Sequence, residues 1–160
     1  HEPSRRQRQM CIRDSYEIAC QLNHRFAAVA SFAGTMPVSP ASCDMSGSVA
    51  VLHIHGKLDY IIDYDDDWDW KDGEHEGVGT MSNVPGMIDF WAQKLECQDE
   101  MTHSHLFAGD DVEHIVHKDC DGDVRVEHYG MEAHEHTWPN QVDGVNTYQL
   151  IWDFLSDFTN

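Results

Sequence analysis

No stretch of 18 apolar residues occurs in this 160-residue chain, so no segment reads as a membrane-spanning helix. Basic residues are scarce, with ten Lys and Arg against 29 Asp and Glu, a formal charge of −19. Such an imbalance repels phosphate backbones and anionic lipid, which excludes nucleic acid and membrane surfaces as partners. No two cysteines stand at C-x-x-C spacing, which argues against a zinc ribbon or a thioredoxin-type redox motif. Neither H-E-x-x-H nor H-x-H-x-D-H occurs, although twelve histidines include three H-x-H pairs: His53/His55, His103/His105 and His134/His136. Along a strand, positions i and i+2 share a face, so such a pair has the geometry for two metal ligands. His53 and His55 fall in an apolar run, however, and read as satisfied core residues. No metal or other cofactor is expected.

What the chain does have is a short β-branched run, Val49, Ala50, Val51, Leu52 and Ile54, bounded by Gly47 and Gly56. The run is too short for a helix and reads as a strand buried on both faces, as inside a parallel sheet. Gly56 is expected to let the chain turn as it leaves the strand. Asp59 then stands just past the strand's C-terminal end, where open α/β sheets keep ligands and catalytic groups. A carboxylate there, followed by a histidine such as His136, is the second member of a Ser…Asp…His order.

Residues 1–14, HEPSRRQRQMCIRD, differ from the rest and are expected to form a non-native or disordered leader, with the domain spanning 15–160. They hold four of the ten basic residues and little apolar periodicity. A basic arm is one reading; a resemblance to translated sequencing adapter is the one preferred. Setting them aside leaves six basic and 27 acidic residues, a charge of −21.

From there the pattern predicts a helix at Tyr16–Asn23 and a buried strand at Phe26–Phe32. A Pro/Ser-rich loop leads to the central strand and then to an acidic loop over residues 59–76. Val84–Glu96 reads as a helix capped by Ser82 or Asn83, with Pro85 in its first turn. Val112–His117 and Val124–Tyr129 alternate about Asp121-Gly122, a hairpin signal. Thr147–Phe158 closes the chain as an amphipathic helix with Leu150, Ile151, Phe154, Leu155 and Phe158 on one face. No internal repeat is present.

The acidic loop places Asp65, Asp67, Asp69 and Glu76 at positions 1, 3, 5 and 12 of an EF-hand-like loop. Trp70 stands where that loop needs glycine, so an irregular calcium site or a solvated acidic loop are the remaining readings. A non-catalytic calcium- or carbohydrate-binding module is therefore the alternative function.

The segments YEIACQLNHRFAAVASFAGTMP, VLHIHGKLD, IDFWAQ, HTWP and LIWDFL resemble the secreted polyhydroxybutyrate-depolymerase and feruloyl-esterase-like α/β-hydrolases, nearly end to end over residues 15–158. The resemblance implies the C-terminal half of an α/β-hydrolase: a mostly parallel sheet flanked by helices, with one antiparallel hairpin strand. It implies a serine esterase acting on a carboxylic ester, small or polymeric, in which Asp59 is the triad acid and His136 the general base. Trp138, with Pro139, would stiffen the loop and wall the substrate site. His134 is a rival base, since Ala133, His134 and Glu135 stand where the family has glycines. The family's G-x-S-x-G elbow belongs just before the Tyr16 helix, where MCIRD stands. Nucleophile and oxyanion hole are thus expected to be missing, and the chain as given inactive. With Cys11 in the leader, four cysteines remain, either as thiols or in one of three pairings. Disulfides Cys97–Cys120 and Cys20–Cys43 are expected, because each cysteine flanks an element that this fold sets beside its partner's. An oxidising compartment, extracellular or periplasmic, follows from them. Oligomeric state is not encoded in any pattern here.

Overall fold

Seven consecutive residues, Ala50–Gly56, are all buried in the computed structural model, which describes residues 15–37, 43, 45–69, 80–107 and 110–158. They form β2, and their burial follows from position. β2 lies between β1 (Ala28–Phe32) and β7 (Val126–Met131), pairing parallel with both, with Ala28 opposite Ala50 and Val51 opposite Val126. A strand hydrogen-bonded on both edges and covered on both faces has no side left for water, so its sequence is apolar without alternation.

The described elements run α1 (residues 15–21), β1, β2, β3 (Trp68–Asp69), β4 (Thr80–Met81), α2 (Val84–Lys94), β5 (Asp99–Phe107), β6 (Asp110–Lys118), β7, β8 (Gln141–Val142), β9 (Val145–Asn146) and α3 (Thr147–Ser156). Five strands make one mixed sheet in the order β1-β2-β7-β6-β5. β6 pairs antiparallel with both β7 and β5, so it alone runs against the other four. The other two sheets, β3-β4 and β8-β9, have two strands each.

Alternation sorts the central side chains onto two faces. Val51, His53 and His55 share a face with His128, whose ring stacks on His53 at 5.3 Å. α1 and α2 cover that face, and Tyr16 packs on both His53 and Trp91. Leu52 and Ile54 share the other face with Glu127 and Tyr129, and α3 lies there with Phe154 and Leu150 near Leu52. The result is an α/β/α arrangement with the sheet in the middle layer.

Local chemistry explains where α2 begins and ends. Asn83 is the N-cap, its Oδ1 accepting from the Gly86 N–H at 2.7 Å, with Pro85 in the first turn. Met87, Ile88 and Trp91 give the buried stripe, and the helix stops at Leu95, followed by Glu96 with φ 52°. Both expected disulfides are present. Cys97–Cys120 ties the end of α2 to the β6–β7 loop, and Cys20–Cys43 ties α1 to the loop before β2.

Several expectations need correction. The expected hairpin forms, β6 pairing antiparallel with β7, but through the seven-residue loop 119–125 rather than a tight Asp121-Gly122 turn: β6 ends at Lys118 and β7 begins at Val126, with Asp119, Gly122 and Asp123 all at positive φ between them. The tight Asp-Gly turn is at Asp143-Gly144, joining β8 to β9, with φ of 48° and 79°. β5 was not expected at all. It is the sheet's edge, written with acids, histidine and threonine, and so carries little of the apolar alternation by which strands are recognised. In the five-stranded sheet two of the four pairings are parallel, rather than most. The leader, residues 1–14, lies outside the described residues.

Candidate active site

Two loops meet at the end of β2. The chain leaves that strand through Lys57 and Leu58, and the Asp59 N–H closes a turn onto the Gly56 carbonyl at 3.1 Å. Asp59 then folds back on its own backbone. Its Oδ1 accepts from the N–H groups of Ile61 and Ile62, at 2.8 and 2.9 Å, an arrangement that aspartate favours in turns. Its Oδ2 is 2.7 Å from His136 Nδ1 and 3.2 Å from His55 Nε2. The carboxyl group is wholly buried. Burial alone would favour its neutral form, but the bonds from His136, His55 and the two backbone N–H groups outweigh it and hold the carboxyl well below the usual carboxylate range.

The second loop follows β7 and carries His136. It is clasped to the first by the Lys57 N–H on the Met131 carbonyl and the Leu58 N–H on the His134 carbonyl. This approach accounts for Gly56. A β-carbon on Gly56 would lie 2.2 Å from the His134 carbonyl oxygen and 2.8 Å from that of Glu135. Gly56 is still part of β2 and is not at positive φ, so the expected sharp turn is not its reason. Its missing side chain admits the histidine loop.

The two rival histidines have different neighbours. His134 Nε2 donates to the Thr137 carbonyl at 2.6 Å, within its own loop, and does not meet Asp59. His136 takes the carboxylate. Its Nδ1 must carry a proton to donate there, and in the neutral ring Nε2 then holds the lone pair. The side chain is 24% exposed, and Nε2 has no hydrogen-bond partner among the described residues. A buried carboxylate fixing an imidazole tautomer, with the other nitrogen unbonded, is able to remove a proton from a hydroxyl or water.

Trp138 is 42% exposed and lies edge-on to Phe32 at 5.2 Å and tilted against Tyr148 at 5.3 Å. With Phe32 and Ser15 it lines an apolar depression of about 290 Å³ that β1, α1 and α3 complete. Ser15 Oγ donates to the Ala30 carbonyl at 3.5 Å, an ordinary role for a serine beside a strand.

The acidic loop is only partly described. Asp67 Oδ1 accepts from the backbone and the side-chain nitrogen of Asn83, both at 2.8 Å, which ties the loop to the start of α2. Asp65 is exposed and its N–H donates to Asp63. The side chain of Asp69 and all of Glu76 lie outside the described residues. Among the described residues no three His, Cys, Asp or Glu side chains gather as a metal-binding group.

Three residues at the site were not singled out as functional from sequence. His53 and His55 read as core histidines, and Tyr16 as part of a helical stripe. They are core residues, but His55 touches Asp59 directly. The available signal was its place four residues before Asp59, on the strand that delivers that aspartate. Comparison of the chain with models of known protein families, and with curated proteins, gives no match.

Proposed function

We propose that Asp59 and His136 are the acid and the general base of a secreted serine carboxylic-ester hydrolase of α/β-hydrolase architecture, and that this chain carries the C-terminal half of the catalytic domain. The observation that carries the reading is the 2.7 Å bond from His136 Nδ1 to a buried, ionised Asp59 at the C-terminal end of a parallel strand. In such a centre the histidine accepts the serine proton, and the carboxylate holds the tautomer and stabilises the imidazolium. Acyl transfer to the serine and then to water completes the turnover. Trp138, beside the depression between β1 and α3, would wall the acyl or polymer side of the site. Two disulfides suit an oxidising compartment, extracellular or periplasmic.

The test joins a strand and G-x-S-x-G elbow directly ahead of Tyr16 and follows hydrolysis of p-nitrophenyl acyl esters. His136→Ala should lower kcat by about 10⁴–10⁶-fold, as expected for loss of a triad base, and His134→Ala by about tenfold or less. The 160-residue chain alone should neither turn over esters nor be labelled by a serine-directed phosphonate. Hydrolysis that survives His136→Ala, or that is lost in His134→Ala instead, overturns the assignment.

A further inference from the structure

Asp59 receives more than His136. His55 Nε2 lies 3.2 Å from Asp59 Oδ2 and 3.2 Å from the Ile62 carbonyl oxygen. A carboxylate and a carbonyl only accept, so that nitrogen carries a proton. The other nitrogen of His55, Nδ1, lies 3.1 Å from His53 Nε2, and His53 Nδ1 lies 2.5 Å from the Tyr16 hydroxyl. A neutral imidazole has one donor and one acceptor nitrogen, so each assignment forces the next. His55 Nδ1 accepts, His53 Nε2 donates, His53 Nδ1 accepts and the Tyr16 hydroxyl donates. Tyr16, His53, His55 and the Asp59 carboxyl are all shut off from solvent.

Resting on the reading of Asp59 and His136 as the acid–base pair, we infer that Tyr16, His53 and His55 form a one-way hydrogen-bond chain. It holds each imidazole in its Nε2–H tautomer and keeps a donor on Asp59 Oδ2. His55 is thereby a positioning residue for the carboxylate that orients His136, and Tyr16 and His53 position His55. Burial works against a charge anywhere along the chain. It acts with the nearby imidazoles of His55 and His128 to push His53 well below the ordinary histidine range, in keeping with a neutral ring. The alternative polarity would need a doubly protonated His55, with His53 donating to the Tyr16 oxygen.

The chain's direction is readable without substrate. In ¹⁵N-labelled 160-residue protein at pH 7, two-bond ¹H–¹⁵N correlations of the histidine rings should show His53 and His55 as neutral Nε2–H tautomers. His136 should be protonated at Nδ1. An Nδ1–H tautomer at His53, or a doubly protonated His55, overturns the inference with no variant needed. His55→Phe removes the donor while keeping a planar ring. The Asp59 carboxyl, followed by ¹³C, should then titrate at higher pH, and the His136 Nδ1 proton should exchange faster with water. His55→Gln keeps an N–H near the same place and should restore both properties in large part. A purely structural histidine would leave Asp59 unmoved in both variants, and that result also overturns it. Tyr16→Phe should move His53 Nδ1 to the resonance of an unbonded acceptor nitrogen; no change there removes Tyr16 from the chain. Suppose these signatures appear while ester hydrolysis, with the elbow joined, does not depend on His136. The esterase reading then fails and the hydrogen-bond chain stands.

Discussion

Replacing Asp59 by Asn keeps the shape of the side chain and changes only what each terminal atom offers. Oδ1 accepts two backbone N–H groups, from Ile61 and Ile62, while Oδ2 faces His136 Nδ1 and His55 Nε2. The amide can turn either way. With its NH₂ toward the backbone it would confront two fixed N–H donors, and each buried donor left unpaired costs about 1–3 kcal/mol. With its NH₂ toward the histidines, His136 relieves the conflict by moving one proton from Nδ1 to Nε2. The second arrangement should win. His55 still has the Ile62 carbonyl as acceptor, so its tautomer holds. Nε2 of His136 then carries the proton and cannot take one from a serine. In the protein carrying the elbow, kcat should fall about 10⁴-fold, roughly 5 kcal/mol of barrier. Exchanging two bonds to a carboxylate for one to an amide should cost about 1–3 kcal/mol of stability. Histidine ring NMR reads the tautomer directly, and urea unfolding at pH 7 reads the stability. If His136 in Asp59→Asn stays protonated at Nδ1, the reasoning from donor and acceptor counting is refuted.

Three further perturbations test other parts of the molecule. Glu127 is nearly buried, which works to raise it, but bonds from His114, Arg125 and Tyr129 outweigh that and hold it at about 2, against an ordinary 4.5. Its contribution, about 3 kcal/mol, should be complete above pH 4.5 and vanish as pH falls through about 2. The stability gap between wild type and Glu127→Gln in urea should therefore close over that range, and a gap independent of pH would contradict it. Cys97–Cys120 closes a 24-residue segment, Cys97 to Cys120, so the double Cys→Ser variant should lose about 3 kcal/mol. Thiol counting in unreduced, denatured protein should find both cysteines unreactive. Gly56→Ala forces a methyl group onto the His134 and Glu135 carbonyls and should cost about 1–3 kcal/mol. It should also weaken the His136–Asp59 bond, seen as faster exchange of the Nδ1 proton; an undisturbed bond would show that the loop has room to spare.

The parts of this fold legible in sequence are those where a local pattern and the tertiary environment agree. β2 reads as a buried strand because it is buried on every side, and α2 reads from Asn83, Pro85 and the Met87-Ile88-Trp91 stripe. Asp59 and His136 were found by strand-end placement and motif resemblance, and the structure brings both to within one hydrogen bond. What stayed hidden depends on partners distant in sequence. β5 looks like a loop because its pairing with β6 supplies most of what makes it a strand. The histidine chain is invisible because Tyr16 is 37 residues from His53 and enters only through the packing of α1 on the sheet. Gly56 was recognised as special but for the wrong reason, since the backbone that crowds it belongs to a loop nearly 80 residues on.

That crowding also bears on how His136 is held. The Trp138-Pro139 step following it suggests a stiff brace, and the Trp138 ring packs on Phe32 and Tyr148 while staying 42% exposed. The loop backbone is also fixed at two points flanking the histidine. Upstream, the His134 carbonyl accepts the Leu58 N–H across the gap that Gly56 leaves open. Downstream, the buried Thr147 at the start of α3 donates its hydroxyl to the Pro139 carbonyl at 2.6 Å and its N–H to the Asn140 carbonyl at 3.1 Å. Only four residues, Glu135 to Trp138, lie between the clasps. An arch so short leaves His136 few backbone conformations, so little entropy is lost when its ring meets Asp59. His134 thus serves His136 through its backbone carbonyl, while its imidazole adds a bond within the arch, to the Thr137 carbonyl. A side-chain substitution at 134 therefore leaves the upstream clasp intact, whereas a β-carbon at 56 pushes directly against it.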